Sequence, residues 1–395
     1  MPSSSPWLAW VLAALAAIGP FAIDTYLPAF PQMEASLGAT QVAVQQTLTA
    51  YMATFAFMVL WHGALADRFG RRRVLIWATA LFAVASMLCA VAPSIEWLWV
   101  GRAVQGLCGG AGMVVGRAVI RDVHEGPQAQ RLMSRVMMIF GIAPAIAPLI
   151  GGLLLAVADW RAIFVFLGFF GVALSALTWR YLPETLSEEA RQPLHPASLV
   201  RAYRGVLSNP EFLLLVFSVA LMFNGFFIYV LSAPVFVMTH LGLGPQDFAW
   251  LFVPVVAGMM FGSGLSGRVA GYWSPTRAIA VGFAIMLGAA AGSVLLAASE
   301  PTQRLLLVLP ISIYGVGMAL AMPSMSILAL DLFPQRRGMA SSCQSFVQVG
   351  MNACTAGVIG PLLWKSPVTL AAGMCMFAAL ALIGFLTWRR RALPV

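Results

Sequence analysis

Long apolar runs separated by short polar stretches follow one another along the whole chain. A helix needs about 20 mostly apolar residues to cross the hydrocarbon core of a membrane, and about twelve runs meet this requirement. They lie at 7–30, 41–62, 74–93, 97–117, 132–155, 161–182, 211–237, 246–267, 276–298, 303–324, 339–362 and 366–388. The pattern predicts an all-α polytopic membrane protein.

One polar segment is much longer than the others. Between Pro183 and Pro210 the chain carries acidic and basic residues with little apolar periodicity. This segment divides the spans six and six, which suggests two homologous bundles related by an axis along the membrane normal. We therefore expect an N-terminal six-helix bundle at 1–182, a cytoplasmic linker at 183–210 and a C-terminal six-helix bundle at 211–395.

The composition excludes a water-soluble fold. Hydrophobic residues make up 61% of the chain and charged residues only 9%, whereas soluble domains carry about 25% charged residues. The net charge of +9 is typical of some nucleic-acid-binding proteins, but the arginines lie at the ends of apolar runs and form no continuous face. We expect the lipid bilayer, and no nucleic acid, as the partner.

The basic residues indicate the orientation in the membrane. Arg161, Arg304 and Lys365 fall in loops on one side, Arg102 falls within a span, and the other basic residues fall on the opposite side. Short loops rich in lysine and arginine stay in the cytoplasm. An even number of spans returns both termini to one side, and the arginines at 389–391 place that side in the cytoplasm.

A basic stretch lies between the second and third spans. It reads Gly-Ala-Leu-Ala-Asp-Arg-Phe-Gly-Arg-Arg-Arg at 63–73, and its two glycines are expected to allow a tight turn. The stretch resembles, without a gap, the Gly-x-Leu-x-Asp-Arg-x-Gly-Arg-Arg signature of the major facilitator superfamily. We assign six residues of this stretch to a conformational gate, namely Gly63, Asp67, Arg68, Gly70, Arg71 and Arg72. A topology anchor without further function is the alternative.

A second acidic residue extends this gate. Asp122, at the end of the fourth span, is expected to join Asp67 and Arg71 in a charge-assisted cluster. The alternative is a set of solvated loop charges that contribute almost nothing to stability. By resemblance to the superfamily, such a cluster stabilises the outward-facing state of a transporter.

Two charged residues fall within predicted spans. A carboxylate such as Asp24 in a membrane-spanning helix is costly and usually faces a cavity or a partner. Counting about 1.5 Å per residue from the span edges places Asp24 and Arg102 at similar depth, so we expect them to be coupled in proton transfer. The alternative is that Asp24 marks a helix end at the outer interface, held by Thr25 and Tyr26.

The proposed coupling follows from the physics of a buried acid. Burial favours the neutral form of a carboxylate, whereas a nearby arginine favours the ionised form. An acid between these influences takes up a proton from one side and releases it to the other, and a cationic substrate near it displaces the proton. This predicts antiport driven by a proton gradient, with no cofactor. The sequence shows no nucleotide-binding, catalytic or metal-binding motif, so neither an enzyme nor a metal site is expected.

The fifth span contains Pro144, Pro148, Gly151 and Gly152. Proline kinks a helix and glycine lets a neighbour approach closely, so this pattern is typical of a bent helix at a tight interface. It also resembles the antiporter motif Gly-Pro-x-x-Gly-Gly of drug-exporting members of the superfamily. Ala147 stands where that motif has glycine. An ordinary kinked helix is the alternative.

Polar side chains recur on single faces of several spans. In the eleventh span Gln344, Gln348 and Asn352 repeat every four residues and share one helix face. Amides are unfavourable in lipid, so this face points inward, where it either joins two helices or lines a cavity. The candidate cavity residues are Tyr26, Gln46, Tyr51, Gln105, Asn224, Tyr229, Gln344, Gln348 and Asn352. Polar groups in a lining rich in aromatic residues and methionine suit bulky apolar ligands.

A narrower resemblance is found in the first half of the chain. Residues 23–31, Ile-Asp-Thr-Tyr-Leu-Pro-Ala-Phe-Pro, resemble the first-helix signature of the Bcr/CflA family of bicyclomycin and chloramphenicol resistance exporters. Further similar segments lie at 102–106, 119–122 and 159–164. The resemblance implies a drug:proton antiporter of the bacterial inner membrane, a monomer, with Asp24 and Arg102 as its proton-coupling acid and arginine.

Three functions are compatible with these observations. The first, which we predict, is proton-driven export of amphipathic drugs by alternating access between the two bundles. The second is export of a small metabolite such as a sugar or an amino acid, which requires a more polar cavity. The third is a channel, which conducts without coupling, or a membrane enzyme, which requires a catalytic constellation.

Overall fold

The structure is a computed structural model that describes residues 6–124, 126–189, 191–301 and 303–392. The ends of the expected bundles, at 1–5 and 393–395, lie outside the described residues. The helices are α1 (Pro6–Asp24), α2 (Phe30–Leu37), α3 (Gln41–Phe69), α4 (Arg71–Ala90), α5 (Ile95–Gly109), α6 (Ala111–Val123), α7 (Gly126–Val157), α8 (Arg161–Tyr181), α9 (Pro196–Leu207), α10 (Pro210–Leu231), α11 (Ala249–Val269), α12 (Pro275–Ala298), α13 (Val308–Asp331), α14 (Arg337–Cys354), α15 (Gly360–Leu363) and α16 (Pro367–Ala392).

Twelve helical segments within the described ranges are long and apolar enough to cross a membrane. The prediction of an all-α polytopic fold is confirmed. Helices suit this environment because they satisfy every internal backbone hydrogen bond without water. Several helices run past the predicted span edges; the second span, for example, continues to Phe69. An apolar run ends at the first polar residues, whereas a helix continues until its capping residue.

The chain folds as two compact units, Met1–Pro196 and Ala197–Val395. In the first unit α1 packs on α7, α3 on α5, and α4 on α8. In the second unit α13 packs on both α11 and α12, and α10 packs on α16. The boundary between the units falls within the segment 183–210 that we predicted as a linker.

The predicted linker contains a helix that the sequence analysis did not anticipate. Leu199, Tyr203 and Val206 recur at helical spacing and lie on one side of α9, where Val206 is buried. Arg201 and Arg204 alternate with these residues and obscured the periodicity. The segment is therefore partly helical.

Several spans are interrupted, although their apolar runs are continuous. In the first span α1 ends at Asp24, and a 3-10 turn at Leu27–Ala29 precedes α2. Pro28 lies within this turn, and a proline disrupts a continuing α-helix because it lacks an N–H donor. The fourth span divides into α5 and α6 at Gly110. Hydropathy alone does not report such breaks.

The stretch 63–73 is a helix–helix junction of a single residue. α3 continues through Gly63 to Phe69 and α4 begins at Arg71, so Gly70 alone separates them. Gly70 has φ +97°, a conformation that favours glycine. The prediction that Gly63 helps to form a turn is wrong, because one glycine in this conformation suffices to end one helix and start the next.

Two helix contacts in the first unit bring backbones together directly. A Cβ atom at Gly112 in α6 would lie 2.1 Å from the carbonyl oxygen of Leu15 in α1. A Cβ atom at Gly106 in α5 would lie 2.1 Å from the carbonyl oxygen of Tyr51 in α3. These contacts require glycine and hold together the helices that carry the first unit's candidate residues.

We predict that Gly112→Ala lowers the stability of the protein, because the added methyl group forces α6 away from α1. Overpacking of this kind costs about 1–3 kcal/mol. The measurement is the melting temperature of the purified protein in detergent. Gly116→Ala on the same helix is the control: its Cβ would lie 3.7 Å from Leu12 Cδ2, an ordinary contact. Equal melting temperatures for the two variants would contradict the prediction.

Candidate functional site

Asp24 is the last residue of α1 and lies within the first membrane span. Its side chain is 3% exposed, and its Oδ1 atom has no hydrogen-bond partner. The two interpretations of Asp24, as a buried functional acid and as a residue at a helix end, thus overlap. Asp24 does mark the end of α1, but that end is buried. Its neighbours do not hold it: Thr25 Oγ1 is itself without a partner, and the Tyr26 hydroxyl lies 3.2 Å from Thr47 Oγ1.

The break after Asp24 packs against α7. A Cβ atom at Gly151 would lie 1.8 Å from the carbonyl oxygen of Thr25, so only glycine allows α7 to approach this turn. Ala147 is fully buried, which shows that a methyl group fits where the antiporter motif has glycine. α7 stays continuous through both of its prolines. The candidate residues on this helix are Pro144, Pro148, Gly151 and Gly152.

Arg102 is fully buried in the first unit. Its Cζ atom lies 4.3 Å from the ring centroid of Tyr26 and 4.5 Å from that of Tyr51. Its Nη1 atom donates to Gln105 Oε1 at 2.7 Å, and Gln105 Nε2 donates to Ser86 Oγ at 2.7 Å. Nε and Nη2 have no hydrogen-bond partner. Cation–π contacts and one hydrogen bond therefore compensate the buried charge of Arg102, while its Nε and Nη2 donors stay unused.

This arrangement accounts for three of the predicted cavity residues. Tyr26, Tyr51 and Gln105 surround the Arg102 guanidinium and are fully buried. Gln46, by contrast, is half-buried. The three residues around Arg102 compensate its charge, and contact of any of them with a substrate stays a prediction.

Asp24 and Arg102 do not form an ion pair in the part of the chain that the structure describes. The Leu15–Gly112 contact nevertheless sets their relative depth. Asp24 lies about 14 Å beyond Leu15 in α1, and Arg102 lies about 15 Å before Gly112 along a span of opposite direction. The Tyr51 ring lies 4.5 Å from the Arg102 guanidinium carbon, and its buried hydroxyl has no hydrogen-bond partner. Asp24 and Arg102 therefore lie at similar depth within the membrane-spanning helices.

Arg71, the first residue of α4, pairs with two carboxylates. Its Nη1 atom lies 2.5 Å from Asp67 Oδ1, and its Nε atom lies 3.2 Å from Asp122 Oδ2. The Arg71 side chain is only 10% exposed, so these pairs are less screened than solvated surface charges. We call Asp67, Arg71 and Asp122 the gate cluster.

The other residues of the signature lie around the gate cluster. Arg68 is exposed near the end of α3, and Gly63 lies within that helix, one turn before the aspartate of the cluster. Arg72 donates from Nη2 to the carbonyl oxygen of Trp179 at the end of α8. The signature thus joins α4 both to α3 and to α8.

In the second unit, amide side chains join neighbouring helices. Asn224 Nδ2 in α10 donates to Asn352 Oδ1 in α14 at 2.9 Å and to the carbonyl oxygen of Ala220 at 2.8 Å. Gln344 Nε2 in α14 donates to Ser326 Oγ in α13 at 2.8 Å. For these amides, the interpretation as links between helices has direct support.

Tyr229 has a similar setting. Its hydroxyl lies 3.4 Å from Ser293 Oγ in α12, and its ring meets Phe236 edge-on at 5.0 Å between centroids. Gln348, on the same face of α14 as the paired amides, is half-buried. Of the candidates in this unit, Gln348 and Gln344 are the least enclosed.

Buried charge is distributed unequally between the two units. Among the described residues, the buried carboxylate, imidazole and guanidinium groups belong to Asp24, His62, Arg71 and Arg102, all in the first unit. The buried polar groups of the second unit belong to uncharged side chains, namely Ser218, Asn224, Ser232, Ser293, Ser312, Asn352 and Thr355. The ionisable groups among these buried side chains therefore lie in the first unit.

Comparison with known proteins decides the family. Residues 12–352 match the family model of the Major Facilitator Superfamily. The chain belongs to this superfamily. It is a multi-pass membrane transporter, and the resemblance found in the stretch 63–73 is confirmed.

Several relatives within the superfamily extend over nearly the whole chain. An uncharacterized MFS-type transporter, YdgK of Bacillus subtilis, is 32% identical over 91% of this chain and 92% of its own length. A bicyclomycin resistance protein homolog of Haemophilus influenzae is 27% identical over 96% and 95%. A chloramphenicol resistance protein of Pseudomonas aeruginosa is 31% identical over 88% and 81%. These relatives agree with the Bcr/CflA resemblance.

Solved structures of superfamily members share the fold. The nucleoside transporter NupG superposes with a TM-score of 0.72 over 98% of this chain and all of its own, at 12% identity. A bacterial homolog of the human lysosomal transporter Spinster gives 0.67 over 98% of both chains, at 17% identity. At these identities the likeness concerns the fold alone.

The sequence analysis missed one polar residue of the Arg102 site. Ser86 accepts the hydrogen bond of Gln105 and is fully buried in α4. A signal for it does exist, since Ser86 follows Thr79 by seven residues and both therefore lie on one face of the helix. Thr79 bonds only to its own helix backbone, at Leu75 and Ile76, so the shared face does not identify which residue meets a partner.

We predict that Asn224 and Asn352 are coupled in stability. In a double-mutant cycle with Asn224→Ala and Asn352→Ala, the coupling is expected to be about 0.6 kcal/mol, a typical value for such bonds in membranes. The measurement is the melting temperature of the two single variants and the double variant in detergent. Additive losses of stability would show that the two amides do not depend on each other and would favour the cavity interpretation instead.

Proposed function

We propose that this chain exports amphipathic drugs in exchange for protons, by alternating access. The observation that carries the proposal is the buried Asp24 carboxyl, whose Oδ1 atom has no hydrogen-bond partner inside a membrane span. An ionisable group in this position is expensive and is a functional candidate by default. The names of relatives linked to bicyclomycin and chloramphenicol resistance support the choice of substrate class.

In the proposed cycle Asp24 carries the proton. Its buried position favours the neutral acid, and a positive charge that comes close to it during the cycle, that of Arg102 or of a cationic drug, would favour the carboxylate. The helix break after Asp24 leaves the side chain at the C-terminal end of α1, where the last backbone carbonyl groups have no partner within the helix. A drug with a cationic group near Asp24 stabilises the carboxylate, so drug binding and proton binding compete. This competition couples the two fluxes.

The candidate cavity residues divide into two roles in this proposal. Gln46, Gln344 and Gln348 are half-buried and supply polar contacts to the drug. Tyr26, Tyr51 and Gln105 hold Arg102 in position. They act on the drug indirectly, through the charge of Arg102. The remaining candidates, Asn224, Tyr229 and Asn352, join helices within the second unit.

The gate cluster and the arginines complete the proposal. By resemblance to the superfamily, the pairing of Arg71 with Asp67 and Asp122 stabilises the outward-facing state. The arginines around Gly70 and those at the end of α16 support an orientation with both termini in the cytoplasm. The protein is proposed to act as a monomer in the bacterial inner membrane, with the proton gradient as its energy source and no cofactor.

We predict that Asp24→Asn abolishes drug-driven proton movement. Asparagine has nearly the same size as aspartate, but its side chain does not take up and release a proton. In everted membrane vesicles with a respiration-generated pH gradient, chloramphenicol, bicyclomycin or a cationic dye should dissipate the gradient with the wild type. With the variant, the signal should fall to that of vesicles without the protein.

Glu34→Gln is the control for this experiment. Glu34 lies in the same span but is half-exposed, so its variant should keep the wild-type response. A response that survives in Asp24→Asn would disprove the proton site and keep the transport function. If the wild type responds to none of the compounds, the metabolite exporter becomes the better hypothesis.

We predict that Asp67→Asn lowers the turnover of transport more than the affinity for drug. The substitution removes one of the two carboxylates paired with Arg71, which should shift the balance between the conformations. Loss of one partly shielded pair, about 1 kcal/mol, corresponds to an approximately fivefold lower maximum rate. The measurement is the initial rate of gradient loss against drug concentration. A change in the half-saturating concentration alone would contradict the gate role.

A further inference from the structure

A short segment after α8 contacts every member of the gate cluster. The backbone N–H of Arg71 donates to Glu184 Oε1 at 2.8 Å. Thr185 Oγ1 donates to Asp122 Oδ2 at 2.9 Å. The backbone N–H of Gln192 donates to the carbonyl oxygen of Asp67 at 3.1 Å. One stretch of nine residues therefore reaches all three residues of the cluster.

Glu184 provides a hydrogen-bond acceptor that is otherwise missing at the start of α4. The first N–H groups of a helix have no partner within the helix and are usually bonded by the side chain of the preceding residue. Here the preceding residue is Gly70, which has no side chain and a positive φ that favours glycine. Glu184 supplies the missing acceptor from a distant part of the chain, and its negative charge also suits the positive end of the helix dipole.

The Glu184 carboxylate is held in position before it meets α4. Its Oε1 atom also accepts from the backbone N–H groups of Thr185 at 3.1 Å and Leu186 at 3.3 Å. The other oxygen, Oε2, lies so close to Gly70 that a Cβ there would be 2.3 Å away. The carboxylate thus fits against the glycine of the turn, and its orientation is set by its own segment.

Asp122 links the segment to the arginine a second time. Its Oδ2 atom accepts both from Arg71 Nε, at 3.2 Å, and from Thr185 Oγ1. Backbone and side chain of Arg71 are therefore both connected to the segment, the first through Glu184 and the second through Asp122. Glu184 itself is exposed, whereas the Arg71 side chain that these contacts hold is only 10% exposed.

We propose that Glu184, Thr185 and Gln192 are a fourth component of the gate cluster, with Glu184 as a positioning residue that holds Arg71 between its two carboxylate partners. The gate role rests on the proposed function, whereas the positioning of α4 does not. The same segment continues along the chain into α9 and the second unit. The cluster is therefore attached directly to the covalent connection between the two units.

The first test measures hydrogen–deuterium exchange in the full-length protein in detergent. In Glu184→Ala the amides at the start of α4, within a peptide covering 70–76, should exchange about tenfold faster, as expected for the loss of one bond to a charged acceptor. Glu184→Gln keeps an acceptor oxygen and should give a smaller increase. Glu189→Gln is the matched control, because Glu189 is an exposed carboxylate of the same segment. Unchanged exchange in Glu184→Ala would overturn the proposal.

The second test measures transport by the same variants in everted vesicles. Glu184→Ala should lower the maximum rate about threefold, with an unchanged half-saturating drug concentration, and Glu184→Gln should restore part of the rate. Faster exchange with a wild-type maximum rate would show that Glu184 caps a helix and is no part of the gate. If the wild type moves no protons with any drug, the proposed function fails, while the exchange rates still decide whether Glu184 positions α4.

Discussion

The guanidinium group of Arg102, fully buried among membrane-spanning helices, is the constraint on which the first unit depends. A charge of this kind is tolerated only when neighbouring groups replace its lost hydration. The replacement for Arg102 comes from different parts of the chain: Tyr26 follows α1, Tyr51 lies in α3, and Gln105 in α5 leads on to Ser86 in α4. These contacts form only if the helices pack in one arrangement, so the charge specifies the packing of the bundle as well as its chemistry.

The fold was largely predictable from the sequence because its main signal is local. Twenty consecutive apolar residues indicate a span wherever they occur, and basic residues mark the ends. What the sequence did not reveal are local departures from a straight helix, such as the break after Asp24 and the division at Gly110. These depend on what packs against the backbone, as Gly151 does at Thr25. The same limit explains the mistaken role of Gly63, since an apolar pattern does not report where a helix ends.

The candidate site was predictable in its members but much less in their pairings. Charged and amide residues within spans are conspicuous, and Asp24, Arg102 and the amides of α14 were found in this way. Their partners are distant in sequence: Asn224 and Asn352 are separated by 128 residues, and Arg71 and Glu184 by 113. Helical periodicity shows which face a residue occupies, but not which helix lies opposite. Whether an inward-facing amide joins a helix or lines a cavity was therefore open until the packing was known.

The unequal distribution of buried charge has an electrical consequence. A charge that moves through the membrane potential exchanges energy with it, about 2.3 kcal/mol per elementary charge per 100 mV. In the described part of the chain, the second unit buries only uncharged polar side chains, whereas the first buries Asp24 and Arg102. Movement of Asp24 or Arg102 along the membrane normal would couple a conformational change to this potential, whereas movement of the fully buried polar side chains described in the second unit would not. Both units consist of membrane-spanning helices, yet among the described residues they differ in the charge that they bury.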